Sequence, residues 1–212
     1  MYGPPGTGKT MIVKWILSSF EQVVIWVKGS EIRDAKDIDR LFHFARKAQP
    51  AVLVFEDVDF YLQSRDQGGG SIVSTMMNNL DGVESNKGIL VIFTTNRLDA
   101  IETAIVDRPG RIDTKIFIGE LTRSEIIKLL TKKLGKFKKT YTNLEAVLEK
   151  NTGTMTGAAV VEMAQRAVTH CLNNVDLEKG VPTDIVISEA AIKKAFHDSI
   201  RNDNSKRRAG FK

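Results

Sequence analysis

Residues Gly3 to Thr10, GPPGTGKT, complete the pattern G-x-x-x-x-G-K-[ST], and no other stretch of the chain restricts its possible folds as strongly. The glycines Gly3, Gly6 and Gly8 let the backbone turn tightly with its N–H groups facing inward, while Pro4, Pro5 and Thr7 complete the loop between them. A helix starting directly after the loop adds the positive end of its dipole. The loop therefore reads as a phosphate cradle. Its amides bind phosphate oxygens, Lys9 neutralises the β and γ phosphates, and the Thr10 hydroxyl ligates magnesium, which makes ATP and Mg2+ the expected cofactors. Such a loop joins a buried strand to a helix. TMIVKWILSSF supplies the helix, but only Met1 and Tyr2 precede the loop, so a buried first strand is expected upstream of this sequence.

The rest of the chain is consistent with that setting. EQVVIWVKG is a β-rich run ending at Gly29. Ile38, Leu41, Phe42 and Ala45 recur at helical spacing between Asp34 and Gln49, and Pro50 closes that segment before the apolar run AVLVFEDV. SRDQGGG, residues 64–70, is expected to be a flexible loop, SIVSTMMNNLDGV a helix and GILVIFTTN another strand. AIETAIVDRPGRID reads as a short helix broken by Pro109, and TKIFIGE as a further strand. Helices alternating with buried apolar strands argue for a parallel α/β sheet. Beyond Glu120 the pattern becomes helical, with capping boxes expected at Thr122/Glu125 and at Thr142/Glu145. We therefore expect a nucleotide-binding α/β subdomain over 1–120, a small all-helical lid over 121–200 and a basic tail over 201–212.

Composition removes several alternatives. The longest apolar runs fall far short of the ~20 residues of a membrane helix, so the chain reads as soluble. Its one cysteine, Cys171, excludes an internal disulfide and suits the cytoplasm or another reducing compartment. His43, His170 and His197 show no metal-ligand spacing. The net charge is +5, with a lysine cluster from Lys132 to Lys139 and a basic C-terminus. Nucleic acid or anionic lipid is one reading of that charge; solvated helix faces are the simpler one.

Hydrolysis needs two more acids, one to hold the metal and one to polarise water. The stretch VLVFEDVDF offers Glu56 directly after the strand, facing the metal, and Asp57 next to it as the base. A more usual order would be Asp then Glu. Exchanging them moves each carboxylate by about 1.5 Å, and positioning errors of ~1 Å can cost on the order of a hundredfold in rate. The reversal therefore threatens turnover more than binding. Asn96, at the tip of the GILVIFTT strand, is placed to hold the attacking water or the γ-phosphate. Arg108 and Arg111 flank Pro109 and Gly110 in a turn that would expose both guanidinium groups, a form suited to phosphates of a neighbouring subunit's nucleotide.

Together these residues resemble the AAA family of ATPases over nearly the whole chain. Gly3 to Thr10 matches its Walker A motif, residues 52–57 its Walker B, Asn96 its first sensor, and Arg108 with Arg111 its paired arginine fingers. Gly157 and Ala158 in TGTMTGAAV match the second-sensor position. The resemblance implies a P-loop NTPase sheet sandwiched by helices, followed by a helical lid. It also implies a homo-oligomeric ring, usually a hexamer, with each ATP between two protomers, acting on a protein client. Two departures stand out: the Glu-Asp order, and VKGSEIRDAKDIDRLF, which has no aromatic pore residue before Phe42. Both are similar to the branch typified by the mitochondrial translocase of the Rieske iron-sulfur protein, whose members carry an E-D-[IV]-D Walker B and hydrolyse ATP. Two other readings stay open. One is a nucleotide-dependent assembly scaffold with little hydrolysis, favoured by Asp57 in the base position. The other is a nucleic-acid-acting motor, supported only by the lysine cluster and a pI of about 9.3.

Overall fold

The computed structural model describes residues 1–59, 70–81, 86–98, 112–148, 153–172 and 185–208. They form two compact units, Met1–Gly119 and Glu120–Lys212.

The first unit contains α1 (Lys9–Leu17), β1 (Val23–Lys28), α2 (Ala35–Lys47), β2 (Ala51–Glu56), α3 (Gly70–Asp81) and β3 (Ile89–Phe93). The strands pair in parallel in the order β1-β2-β3, with Val23 opposite Ala51 and Ala51 opposite Ile89. β2 lies between its neighbours and is buried from Ala51 to Phe55, which is why that run is apolar without alternation. Strand periodicity then sorts its side chains between two helical layers. Leu53 and Phe55 join Val27 and Phe93 against Ile38 and Phe42 of α2 and Val73 and Met76 of α3. Val52 and Val54 join Trp26 and Ile92 against Val13 and Leu17 of α1. The α/β class expected from the alternating pattern is thus what the chain adopts. Asp34 caps α2 by accepting the Asp37 amide at 3.1 Å, satisfying a donor that the helix itself cannot.

Ahead of α1, Tyr2 bridges in parallel to both Thr95 and Phe117. Its N–H donates to the Ile116 carbonyl at 2.9 Å and its own carbonyl accepts from the Ile118 amide at 2.8 Å. Within TKIFIGE, expected as a full strand, Phe117 makes this bridge and no longer ladder is assigned. Gly3 follows at φ 145°, and a Cβ there would sit 2.1 Å from the Ile118 carbonyl oxygen, so the loop can leave the sheet only through a glycine.

The second unit contains α4 (Arg123–Leu134), β4 (Lys138–Lys139), α5 (Leu144–Val147), α6 (Gly157–Leu172), β5 (Val186–Ile187) and α7 (Glu189–Arg208). Its core joins Ile126, Leu130 and Leu134 of α4 to Val160, Met163 and Ala167 of α6 and Ile192 and Phe196 of α7, the three- and four-residue spacing of helix faces. The unit is not wholly helical, because β4 and β5 pair in parallel over two residues each. The second expected cap is also displaced by one residue. Asn143, not Thr142, caps α5 by accepting the Glu145 amide at 2.8 Å, since burying both Leu144 and Val147 sets the start of the helix. The α7 backbone stays helical through Arg208, into the stretch expected as a tail.

The first capping box forms as expected. The Thr122 amide and hydroxyl reach Glu125 Oε2 at 2.8 and 2.7 Å, and these bonds hold the Glu125 carboxyl below its ordinary 4.5. Thr122→Ala should lower the melting temperature by a few degrees at pH 7. A carboxyl with a depressed pKa stabilises the fold above its unfolded value and loses that contribution as pH falls. The deficit should therefore shrink when melting is measured in acid.

Among the described residues no helix is long and apolar enough to cross a membrane. Residues 64–69 of the expected loop and most of AIETAIVDRPGRID, with Arg108 and Arg111, lie outside the described residues; Gly70 opens α3.

Candidate nucleotide-binding site

α1 begins at Lys9 with Gly8 as its N-cap in the left-handed region at φ 101°, and Gly6 turns the loop at φ 79°. No side chain caps this terminus and no acid lies in its first turn. Its amides, which have no intrahelical acceptor, remain as donors at the positive end of the dipole. Thr7 Oγ1 donates to the Pro4 carbonyl at 2.9 Å and folds the loop onto itself.

Lys9 is buried, and its ammonium donates to the Gly3 carbonyl at 2.8 Å, the Pro4 carbonyl at 2.9 Å and Asn96 Oδ1 at 2.7 Å. Burial pushes its pKa below the ordinary lysine value, and the carboxylates of Asp57 and Asp59 oppose that shift.

Glu56 ends β2 on the same face as Val52 and Val54, the face covered by α1. Thr10, from the first turn of α1, donates its hydroxyl to Glu56 Oε1. Trp26 Nε1 donates to Oε2 at 3.0 Å. Asp57 then leaves the strand at φ 52°, a left-handed conformation that Asp tolerates better than most residues, with its amide donating to Thr94 Oγ1 at 3.1 Å. Partial desolvation, then the nearby Glu56 and Asp59 charges, raise the Asp57 pKa, while Lys9 pulls it down. Asp59 accepts from Thr95 Oγ1 at 3.0 Å and from the Asn96 amide at 3.3 Å.

One site thus gathers Lys9, Thr10, Glu56, Asp57 and Asn96 from α1 and from the ends of β2 and β3. Gly157 and Ala158 are the first two residues of α6 in the second unit, beside Thr156, whose hydroxyl accepts the Ala159 amide at 3.2 Å. Sequence reasoning missed three contributors. Asp59 had a signal as the third acid of EDVD, and Thr94 had one as a hydroxyl preceding Asn96. Trp26 had none, because its contact crosses between strands.

The donors also suit magnesium. Thr10 and Glu56 offer a hydroxyl and a carboxylate, hard oxygens of the kind Mg2+ prefers. Among the described residues no group of three or more His, Cys, Asp or Glu is arranged to hold a metal. Mg2+ does not need one, since it is commonly bound through one or two carboxylates together with phosphate and water.

The family model described as "ATPase family associated with various cellular activities (AAA)" matches residues 1–120. The chain belongs to the AAA family. This AAA chain is 34% identical over 178 residues to the ATPase family gene 2 protein of Schizosaccharomyces pombe, covering 79% of the chain and 22% of that protein. It is 32% identical over 197 residues to the peroxisomal ATPase PEX6 of Cricetulus griseus, covering 85% of the chain and 20% of the relative. A 26S proteasome regulatory subunit 8 homolog of Naegleria fowleri is 35% identical over 151 residues, 63% of the chain and 36% of that protein. The chain therefore spans much less than half the length of these relatives.

Proposed function

We propose that this AAA module binds Mg·ATP at the Gly3–Thr10 loop and hydrolyses it within a homo-oligomeric ring, a hexamer, that remodels or translocates a protein client. The observation that carries this reading is the convergence of Lys9, Thr10, Glu56, Asp57 and Asn96 at the open N-terminus of α1. In this reading the loop amides and Lys9 bind the phosphates. Thr10 and Glu56 hold the magnesium ion, which when bound withdraws charge from the phosphate oxygens. Asp57 and Asn96 orient the attacking water. The water oxygen bonds to the γ-phosphorus, its proton passes to Asp57, and the bond to the β-bridging oxygen breaks to leave ADP and phosphate. Asp59, through the Asn96 amide, fixes where that side chain starts from.

Residues 1–120 would then be the nucleotide-binding subdomain and 121–200 the lid, with Gly157 and Ala158 serving as the second sensor. Arg108 and Arg111 act on a neighbouring protomer's nucleotide. A relative named as a regulatory subunit of the 26S proteasome belongs by that name to a multi-subunit assembly, which supports the oligomeric reading. The Glu56-Asp57 order and the short segment between β1 and α2 support a core near the Rieske-translocase branch. A reducing compartment fits the single Cys171.

The test is the steady-state rate of phosphate release by the full-length protein as its concentration is varied. The rate per subunit should climb with concentration. Arg108→Ala should lower it by on the order of a thousandfold, the scale of an arginine supplied in trans, and mixing with wild-type subunits should partly restore it. Turnover independent of concentration would overturn shared catalysis. Tight ATP binding and assembly without phosphate release would replace this reading with a nucleotide-gated scaffold.

A further inference from the structure

We infer that Trp26 is a positioning residue for Glu56, an indole donor matched in reach to the extra methylene that glutamate brings to this position. The inference rests on the proposed role of Glu56 in holding magnesium.

The sheet register creates the contact. Trp26 lies opposite Val54 on β1, and Glu56 is two residues further along β2 on the same face. The two residues are thus offset by two positions across a parallel pair, a gap that the long indole and glutamate side chains close. They close it at 3.0 Å between Nε1 and Oε2. The other oxygen, Oε1, is taken by Thr10. Partners on two different elements thus divide the carboxylate: one oxygen points to the hydroxyl of the phosphate loop, and the other is anchored back to the sheet.

The indole is itself fixed. It packs with Val13, Leu17, Val52, Val54 and Ile92, and Lys14 Nζ lies 5.7 Å from its ring centroid. It therefore sits between the helix that carries Thr10 and the strand that carries Glu56. An indole N–H only donates, so it can hold the carboxylate oxygen but cannot compete with it for a cation. An aspartate at 56 would retract the carboxylate by about 1.5 Å and leave this donor out of reach. Trp26 thus supplies what the reversed acid order requires, a partner that restrains the longer side chain. Groups that orient a metal-binding side chain in this way commonly change metal affinity by about 10–100-fold when removed.

The experiment is calorimetric titration of ADP into the full-length protein, with Mg2+ and with a chelator. Trp26→Phe keeps the ring and deletes the donor. It should weaken binding about tenfold with Mg2+, leave the metal-free affinity unchanged, and shift the melting temperature of the nucleotide-free protein little. In a Glu56→Asp background, where the indole has already lost its partner, Trp26→Phe should have no further effect on the Mg2+-dependent gain. An equal loss with and without metal, the same loss in the Glu56→Asp background, or no loss at all would each overturn the inference. Glu56→Gln separates the two levels of the argument. If it abolishes the Mg2+-dependent gain and Trp26→Phe does not alter that gain, only the role of Trp26 fails. If Glu56→Gln leaves the gain intact, the metal role of Glu56 fails and the inference falls with it.

Discussion

Lys9→Ala is expected to weaken ATP binding by on the order of a hundredfold to ten-thousandfold, measured by titration calorimetry at fixed Mg2+. Hydrogen bonds to charged groups contribute roughly 1.5–3 kcal/mol each, and the ammonium would make about two to phosphate by exchanging them for two of the acceptors its N–H groups now hold. At 1.4 kcal/mol per tenfold, their loss spans that range. The ammonium is already delivered to the mouth of the loop, fixed by the Gly3 and Pro4 carbonyls and by Asn96.

Those same bonds make a control necessary. Truncation to alanine removes a buried donor from two loop carbonyls, although Thr7 still donates to Pro4, so some of the loss could come from a slackened loop. Lys9→Met keeps most of the aliphatic stem and deletes the charge. A comparable loss of affinity in Lys9→Met, with melting temperatures of both variants close to wild type, assigns the effect to the charge. Affinity retained within about threefold in both variants would remove Lys9 from the phosphate site and with it the reading of the loop as a cradle.

The loop and the three strands were legible because each announces itself locally. Glycines at fixed spacing demand a turn that other residues resist, and apolar runs bounded by turn residues have few uses other than buried strands. Glu56, Asp57 and Asn96 could be placed because each lies at or within three residues of the end of such a run, and a strand end restricts where the side chains just beyond it can be. What stayed hidden depends on register. The Trp26–Glu56 contact joins residues thirty apart through the pairing of β1 with β2, and the contacts of Asp59 with Thr95 and Asn96 join the ends of β2 and β3 in the same way. No periodicity within one segment encodes either. The pairing of β4 with β5 was equally invisible, since two residues are too few to show a strand's alternation. The displaced cap had a different cause. Thr142 and Asn143 are both acceptable caps, and which one serves depends on which residues of the next turn are buried.

Asp57→Asn is expected to leave ATP affinity within about threefold and to reduce phosphate release by on the order of 10²–10⁴, the usual scale for removing a general base. The substitution is close to isosteric, and asparagine accepts the left-handed conformation at φ 52° as readily as aspartate does. The bond to Thr94 is made by the backbone amide of residue 57, so it survives the change. What is lost is the proton acceptor. Because desolvation and the charges of Glu56 and Asp59 raise the Asp57 pKa, the wild-type rate should fall on the acid side at a higher pH than an ordinary carboxylate would give. The residual activity of Asp57→Asn should lack that limb. Stability provides an independent check of sign. A carboxyl whose pKa is raised on folding contributes stability below its unfolded value, near 3.8, and loses it as pH rises through the folded value. Asp57→Asn should therefore melt no lower than wild type at neutral pH and gain no advantage in acid, which excludes unfolding as the reason for lost turnover. Unchanged turnover in Asp57→Asn would sink its assignment as the base. The same rate measurement on Glu56→Gln would then decide whether the first acid of the reversed pair, although tied to Thr10 and Trp26, polarises the water instead.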